Sequence, residues 1–293
     1  MPDRPKQDGV LLGAAPPDGA DTLCALAAIE VRPVPGGARR SANGADVLAA
    51  LVRSDLRARY GRGAWRLAKW VLDPFAVVGV FLILRVAVLQ KGGDAPGLSV
   101  ACAVVPFQLI MAAVVNAMGA VDIRRPVIVS IAFDRTLIPV ASVVTESIAF
   151  GASFALLALM MAIYGVAPTV YILWLPVVVA LNLLLALALA YPASLFGLWF
   201  RDLRQIGVSL VRTAFFLASG LVALNQVHGN THSLMRLNPL TGLFEAYRDA
   251  LLYGRNPQPW EILYPLGISL ALLAVFVPVY RSEQVHFAKV APS

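Results

Sequence analysis

Along most of this chain the apolar positions do not alternate with polar ones but merge into long runs. Six such runs, over residues 71–89, 98–119, 138–164, 171–200, 206–224 and 262–280, hold few charges. A helix rises about 1.5 Å per residue, so about 20 apolar residues cross the hydrocarbon core of a bilayer. Each run therefore predicts a membrane-spanning helix, and the expected fold is an all-α, polytopic membrane protein with six transmembrane helices. The run 171–200 exceeds one crossing, which places its start at Tyr171, Trp174 and Pro176 in the interface.

Two segments outside these runs carry a helical period. From Asp46 onward, Leu48, Leu51, Val52, Leu56 and Tyr60 fall near one face, while Arg53, Arg57 and Arg62 fall largely elsewhere. This pattern predicts an amphipathic interface helix within 45–70, although Asp55 and Arg59 interrupt the apolar stripe; an ordinary solvated helix is the alternative. In the longest segment between runs, 225–261, Asn238-Pro239 reads as a turn leading into a short helix. Leu240, Leu243, Phe244, Tyr247, Leu251 and Leu252 are too apolar for a free loop, so a re-entrant or external helical element is expected before the last span. Residues 1–44, with Pro16-Pro17 and Pro35-Gly36-Gly37, show no period and are expected to form a disordered arm. The six-helix domain then occupies 71–281 and a short tail 282–293.

Composition agrees with this division. The 293 residues are 59% hydrophobic and 14% charged, with a mean hydropathy of +0.73, against roughly 45–50% and about 25% in soluble domains. A soluble enzyme is excluded. The net charge of +7 is read as basic cytoplasmic loops rather than a nucleic-acid surface. If the N-terminus, the segments after the second and fourth runs, and the C-terminus share one side, the only lysines and arginines outside the runs on the other are Lys91, Arg236, Arg248 and Arg255. The positive-inside rule then puts both termini in the cytoplasm. Residues 1–44 also lack a signal peptide's order of basic start, apolar run and small-residue cleavage site.

Little local chemistry stands out. The four lysines, Lys6, Lys69, Lys91 and Lys289, do not complete GxxxxGK[ST], so any nucleotide hydrolysis belongs to another chain. Cys24 and Cys102 form neither a disulfide framework nor a CxxC site. No GxSxG or HExxH is present, and no catalytic residue is assigned. His228 and His232 have i, i+4 spacing, but no third ligand lies nearby and Gly229-Asn230 opposes a helix, so a surface pair is expected and no metal site is assigned.

Ionisable residues inside the runs are few: Arg85, Glu146 and Arg212. Arg85, near the end of its run, can snorkel. Glu146 and Arg212 lie roughly 12 and 9 Å into theirs. They are expected to form an interhelical ion pair, within one subunit or across a dimer, or else to snorkel or line a cavity separately.

Three stretches resemble the ABC-2 type permeases that export polysaccharides, including the membrane subunits of O-antigen, capsule, teichoic acid and galactan exporters. The first, Arg53-Ser54-Asp55-Leu56-Arg57-Ala58-Arg59-Tyr60 and on through Trp65 to Asp73-Pro74, is similar to that family's amphipathic opening helix, with Asp73 where Asn is usual. The second, Asn116 through Arg124-Arg125-Pro126 to Leu137-Ile138-Pro139, is similar to its cytoplasmic link between spans two and three, where a short coupling helix docks on the ATPase. The third pairs Arg201-Asp202-Leu203 with Asn238-Pro239-Leu240 and Arg248, like the family's "Arg-Asp-Leu" loop and its external signature.

The resemblance implies a homodimer of this chain, two copies of a separate ABC ATPase that binds ATP and Mg, no cofactor on this chain, and the bacterial inner membrane. The implied substrate is a glycan on a polyprenyl diphosphate carrier, with membrane lipids as the other partner. It assigns ATPase coupling to Arg53, Asp55, Arg57, Arg59, Tyr60, Arg124, Arg125, Pro126, Arg201 and Asp202. Phe75, Phe81, Phe215 and Phe216 become candidates for an aromatic substrate path, with core or lipid packing as the alternative. Asn238, Pro239 and Arg248 would shape an external gate, with a plain interfacial turn as the alternative. An ABC-2 exporter for a drug or lipid would share these features, and a membrane-embedded polyprenyl-lipid transferase is the alternative from another class.

Overall fold

The computed structural model describes residues 44–60, 65–84, 95–124 and 133–283. All regular structure among them is helical. Four stretches are long and apolar enough to cross a membrane: Pro96–Ile123, Leu137–Ile163, Val170–Trp199 and Pro259–Glu283. These coincide with the second, third, fourth and sixth apolar runs.

The first helix, α1 (Gly44–Tyr60), uses the apolar face its sequence predicts. Leu51 and Val52 are buried against Ala141, with Val47, Leu48 and Leu56 packed around them, while Arg53 and Arg57 stay exposed. That face therefore covers another helix of the protein. Helix α2 (Trp65–Ile83) takes up the end of the predicted interface segment and much of the first apolar run. Its buried contact is Val78, and Leu72, Val80 and Ile83 face outward.

Helix α3 (Pro96–Ile123) is the hub. At 28 residues it is about 42 Å long, and it touches α2, α4 (Leu137–Ile163), α5 (Leu175–Trp199), α6 (Arg204–Phe216) and α8 (Pro239–Arg248). A helix packed on every side has no need for a polar face, which explains why its sequence reads as an unbroken apolar run. Its approach to α5 is closest at Gly197, where a Cβ would stand 2.0 Å from the carbonyl oxygen of Met118. Only glycine lets the two backbones meet there.

Before α5, residues Val170–Trp174 form a separate 3-10 turn. The fifth apolar run departs from expectation. It is helical only as α6, 13 residues or about 20 Å, and then bends through 217–223. At the bend, Gly220 folds over Phe215 so closely that a Cβ would lie 2.7 Å from the ring. The Gly220 carbonyl finds a partner elsewhere, described below.

After the short helix α7 (Asn230–Arg236), α8 begins where Asn238-Pro239 predicts. The Asn238 side chain accepts the Leu240 N–H at 3.0 Å as an N-cap, and Pro239 occupies the first turn, where its missing N–H costs nothing. From Leu240 to Arg248 every residue of α8 is buried, packed among α3, α5 and α9 (Pro259–Glu283). A π-type turn, Asp249–Tyr253, closes it, and Gly254 at φ 56° redirects the chain.

Candidate functional site

Polar side chains inside so apolar a bundle gather at the two ends of α3. At the C-terminal end, Arg124 is buried and pairs with Asp55 of α1. The same guanidinium donates to the carbonyl of Ile138 at 2.8 Å and to Ser142 Oγ at 3.4 Å, both on α4. Asp55 also accepts from Thr145 Oγ1 at 3.5 Å. The acidic residue that interrupts the apolar stripe of α1 is thus the one that fixes α1 to α3 and α4. Two residues earlier, Asp122 pairs with Arg204 at the start of α6, and Arg204 also donates to the Gly197 carbonyl at 3.2 and 3.0 Å. Behind them, Tyr191 of α5 donates to the Thr136 carbonyl at 3.2 Å.

The residues expected to couple to an ATPase divide accordingly. Asp55 and Arg124 are brought together, while Arg53, Arg57 and Asp202 are exposed and make no ion pair among the described residues. The side chains of Arg59, Tyr60 and Arg201, and the whole of Arg125 and Pro126, lie outside the described residues. So do residues 1–43, Arg85 and the tail from 284.

About two turns before the C-terminal end of α3, Asn116 donates to Glu146 of α4. Arg212 is exposed on α6 and has no ion pair among the described residues. The expected Glu146–Arg212 pair is therefore not formed within one chain. Similar depth placed the two residues at one level, but depth says nothing about azimuth, and an amide on α3 holds Glu146 instead. His228 precedes α7 and His232 lies on it, so the two do not share a helix face.

The aromatic candidates do converge. Phe81 lies 5.2 Å from Phe215 and 6.1 Å from Phe216 by ring centroids, and Phe215 also meets Phe107 at 4.5 Å and Phe244 at 5.8 Å. Phe215 is 1% exposed and serves as core, whereas Phe216 is 52% exposed. Phe75 is half-buried against the same core. Within one chain, Phe215 is thus a packing residue rather than part of a path wall.

The other end of α3 is held by Arg248, whose side chain is wholly buried. Its Nε donates to the Ser99 carbonyl at 3.1 Å. Its Nη1 donates to Ser219 Oγ at 3.2 Å and to Glu245 Oε1 at 2.7 Å, and its Nη2 to the Gly220 carbonyl at 3.2 Å. Four of the five guanidinium N–H groups are used. Glu245 Oε1 in turn accepts the Leu224 N–H at 2.9 Å. A single side chain therefore joins α3, α8 and the bend after α6, and gives the Gly220 carbonyl of that bend a partner. Asn238 adds a second tie, donating to the Ala214 carbonyl of α6 at 2.7 Å.

A second ion pair follows: Arg255 Nη2 lies 2.8 Å from Asp249 Oδ1, off the hydrogen-bonding direction, and the Arg255 N–H donates to the Asp249 carbonyl. Burial pushes the Asp249 carboxyl above the usual carboxylate range, and Arg255 opposes that shift. At the start of α9, the Glu261 carboxylate accepts the Gln258 N–H at 3.0 Å, closing a capping arrangement. Of the residues in these networks, Glu245 could have been found from its i, i+3 spacing to Arg248. Asp122–Arg204 and Asn116–Glu146 leave no such trace, because their partners come from distant parts of the chain.

No protein-family model matches the chain. It is 27% identical over 246 residues to the O-antigen export system permease protein RfbA of Myxococcus xanthus, across 83% of this chain and 94% of that protein. It is 22% identical over 253 residues to the O-antigen export system permease protein RfbA of Klebsiella pneumoniae, across 84% of this chain and 95% of that protein.

Proposed function

We propose that this chain, supported by its relatives as an ABC-2 type polysaccharide exporter permease, carries an O-antigen-like glycan across the bacterial inner membrane. The observation that carries this reading is correspondence over nearly the whole length of export permeases. Such a chain is a transport component, and the energy comes from a separate ABC ATPase. We take the working unit as two copies of this chain with two ATPase subunits, with ATP and Mg bound on the latter. Both termini lie on the cytoplasmic side, and the glycan arrives on a polyprenyl diphosphate.

The geometry supports a division of labour. Asp55 and Arg124 bind α1 to the end of α3 that the basic segments would place at the cytoplasmic face, so a push on α1 or on the link after α3 moves both together. Basic residues of the α1 region, including Arg53 and Arg57, face outward, where an ATPase surface, anionic lipid or a diphosphate attracts them. At the opposite end, α8 and its Asn238-Pro239 start form the outer gate, with Arg248 holding the element in place.

Deletion of the gene in its native host, followed by immunoblotting of surface glycan, tests the reading. Loss of surface glycan with intracellular build-up of the lipid-linked polymer, restored by this chain, is expected. Unchanged surface glycan overturns it. Copurification of tagged protein with an ATPase whose hydrolysis rises on adding lipid-linked glycan tests the coupling half separately.

A further inference from the structure

Between the turn at Leu224–Gln226, α7 and the start of α9 lies a cavity of about 220 Å³ whose walls include Asn225, Arg236, Glu245, Arg255, Trp260 and Glu261. We propose that this cavity is a subsite for one neutral sugar ring, placed against α8; the assignment of the ring to an exported glycan rests on the export reading.

The walls carry charges of both signs, so neither a bare cation nor a bare anion meets a uniformly favourable field. Arg236 and Arg255 would repel a cation, and Glu245 and Glu261 an anion. Two of these four are already neutralised and fixed by neighbours, Glu245 by Arg248 and Arg255 by Asp249. What remains is a set of mixed donors and acceptors. Asn225 spends its amide N–H on Tyr253 OH at 3.2 Å and keeps its carbonyl, and Gln258 accepts from Trp260 Nε1 at 2.9 Å and keeps its amide donors. Glu261, 2% exposed, has one oxygen on the Gln258 N–H and a second oxygen able to accept. Alternating donors and acceptors beside an aromatic plane suit a polyhydroxylated ring, whose hydroxyls pair in both senses and whose C–H face packs on indole.

The indole is held in place: the Arg236 guanidinium lies 4.5 Å from the Trp260 ring centroid, fixing the side chain from one direction. The volume falls below the roughly 300–1,000 Å³ of pockets for drug-sized ligands, so it takes a single ring rather than an oligomer. Its position couples it to the rest of the end cluster. A ligand here touches Glu245, which binds Arg248, and Glu261, whose backbone lies within about 3 Å of where a Cβ on Gly242 of α8 would stand. Occupancy would therefore be felt by α8 directly.

The test uses full-length protein purified in detergent and saturation-transfer NMR with the methyl glycosides of glucose, galactose, mannose and rhamnose as probes. Saturable binding of at least one glycoside is expected, weakened about tenfold by Trp260→Leu. His232→Ala, which alters the cavity wall without removing a hydrogen bond found here, is expected to weaken binding about threefold with unchanged elution in size-exclusion chromatography. Absence of saturable glycoside binding, binding indifferent to both variants, or displacement by inorganic phosphate each overturns the subsite. The gene-deletion experiment decides the export reading independently. Surface glycan restored fully by Trp260→Leu and His232→Ala alike, with no glycoside bound by the wild-type protein, overturns the subsite and leaves export standing.

Discussion

The two ends of α3, about 42 Å apart along one helix, are both pinned by an arginine, but in opposite manners. Arg124 reaches a carboxylate 69 residues away on a surface helix, and Asp55, its partner, keeps 19% of its side chain exposed. Arg248 pairs within its own helix turn, has no exposure, and spends its other donors on backbone carbonyls and one hydroxyl. Because water reaches Asp55 and the buried Arg124 keeps the Ile138 carbonyl and Ser142, that pair can part at a smaller cost than a fully enclosed one. A charge buried with all its partners parts at a larger cost, because each partner abandoned in an apolar surrounding stays unsatisfied. The contrast teaches what holds each end: Arg124 ties separate helices through a carboxylate that water still reaches, whereas Arg248 is enclosed together with its partners.

Removing the buried arginine should have the largest effect. Arg248→Ala strands the Glu245 carboxylate and two carbonyls, and a loss of about 3–5 kcal/mol is expected. Thermal unfolding followed by tryptophan fluorescence in detergent checks it; a melting temperature near that of wild type breaks the contrast. Gly197→Ala, which forces a methyl onto the Met118 carbonyl between α3 and α5, should cost toward the upper end of about 1–3 kcal/mol. The same melts read it, and the hub role of α3 predicts that both ends loosen together in hydrogen exchange.

Asp55→Asn should cost less, about 1–2 kcal/mol, since Arg124 keeps the Ile138 carbonyl and Ser142. Its mark is expected on coupling: glycan-stimulated ATP hydrolysis falls severalfold while the folded yield holds, and the Asp55→Arg, Arg124→Asp exchange restores part of it. A fall in yield equal to that of Arg248→Ala would show the two ends to be alike. Asp122→Asn should have the smallest effect, about 0–1 kcal/mol, because both partners in that ion pair are near 30% exposed. Raising salt should mimic it and leave the Arg248 cluster untouched.

Much of this was legible from the order of residues. Unbroken apolar runs located α3, α4, α5 and α9 because a helix packed or lipid-covered on all sides has no reason to carry polar residues. Asn238-Pro239 marked the start of α8 because capping and the missing proline N–H are local chemistry. The fifth run misled for the same reason it was persuasive. Its composition satisfies a span, yet the chain leaves helix after Phe216 and bends at Ser219-Gly220, where Arg248, 28 residues further on, supplies the hydrogen bond that the helix would otherwise have made. Composition cannot report a partner that distant.

The candidate site divides in the same way. The sequence by itself determined that this is a helical membrane protein and where most of its long helices lie, and it marked Asp55 as a charge inside an apolar stripe, while Arg124 and Arg248 stood out through the resemblance of the stretches that contain them. Only the tertiary structure decided who meets whom: Asp55 with Arg124, Asp122 with Arg204, Glu146 with Asn116 rather than Arg212. Periodicity fixes a residue's face on its own helix and its approximate depth, but the rotation of one helix about its axis relative to the next is set by packing, such as the contact of Gly197 with Met118.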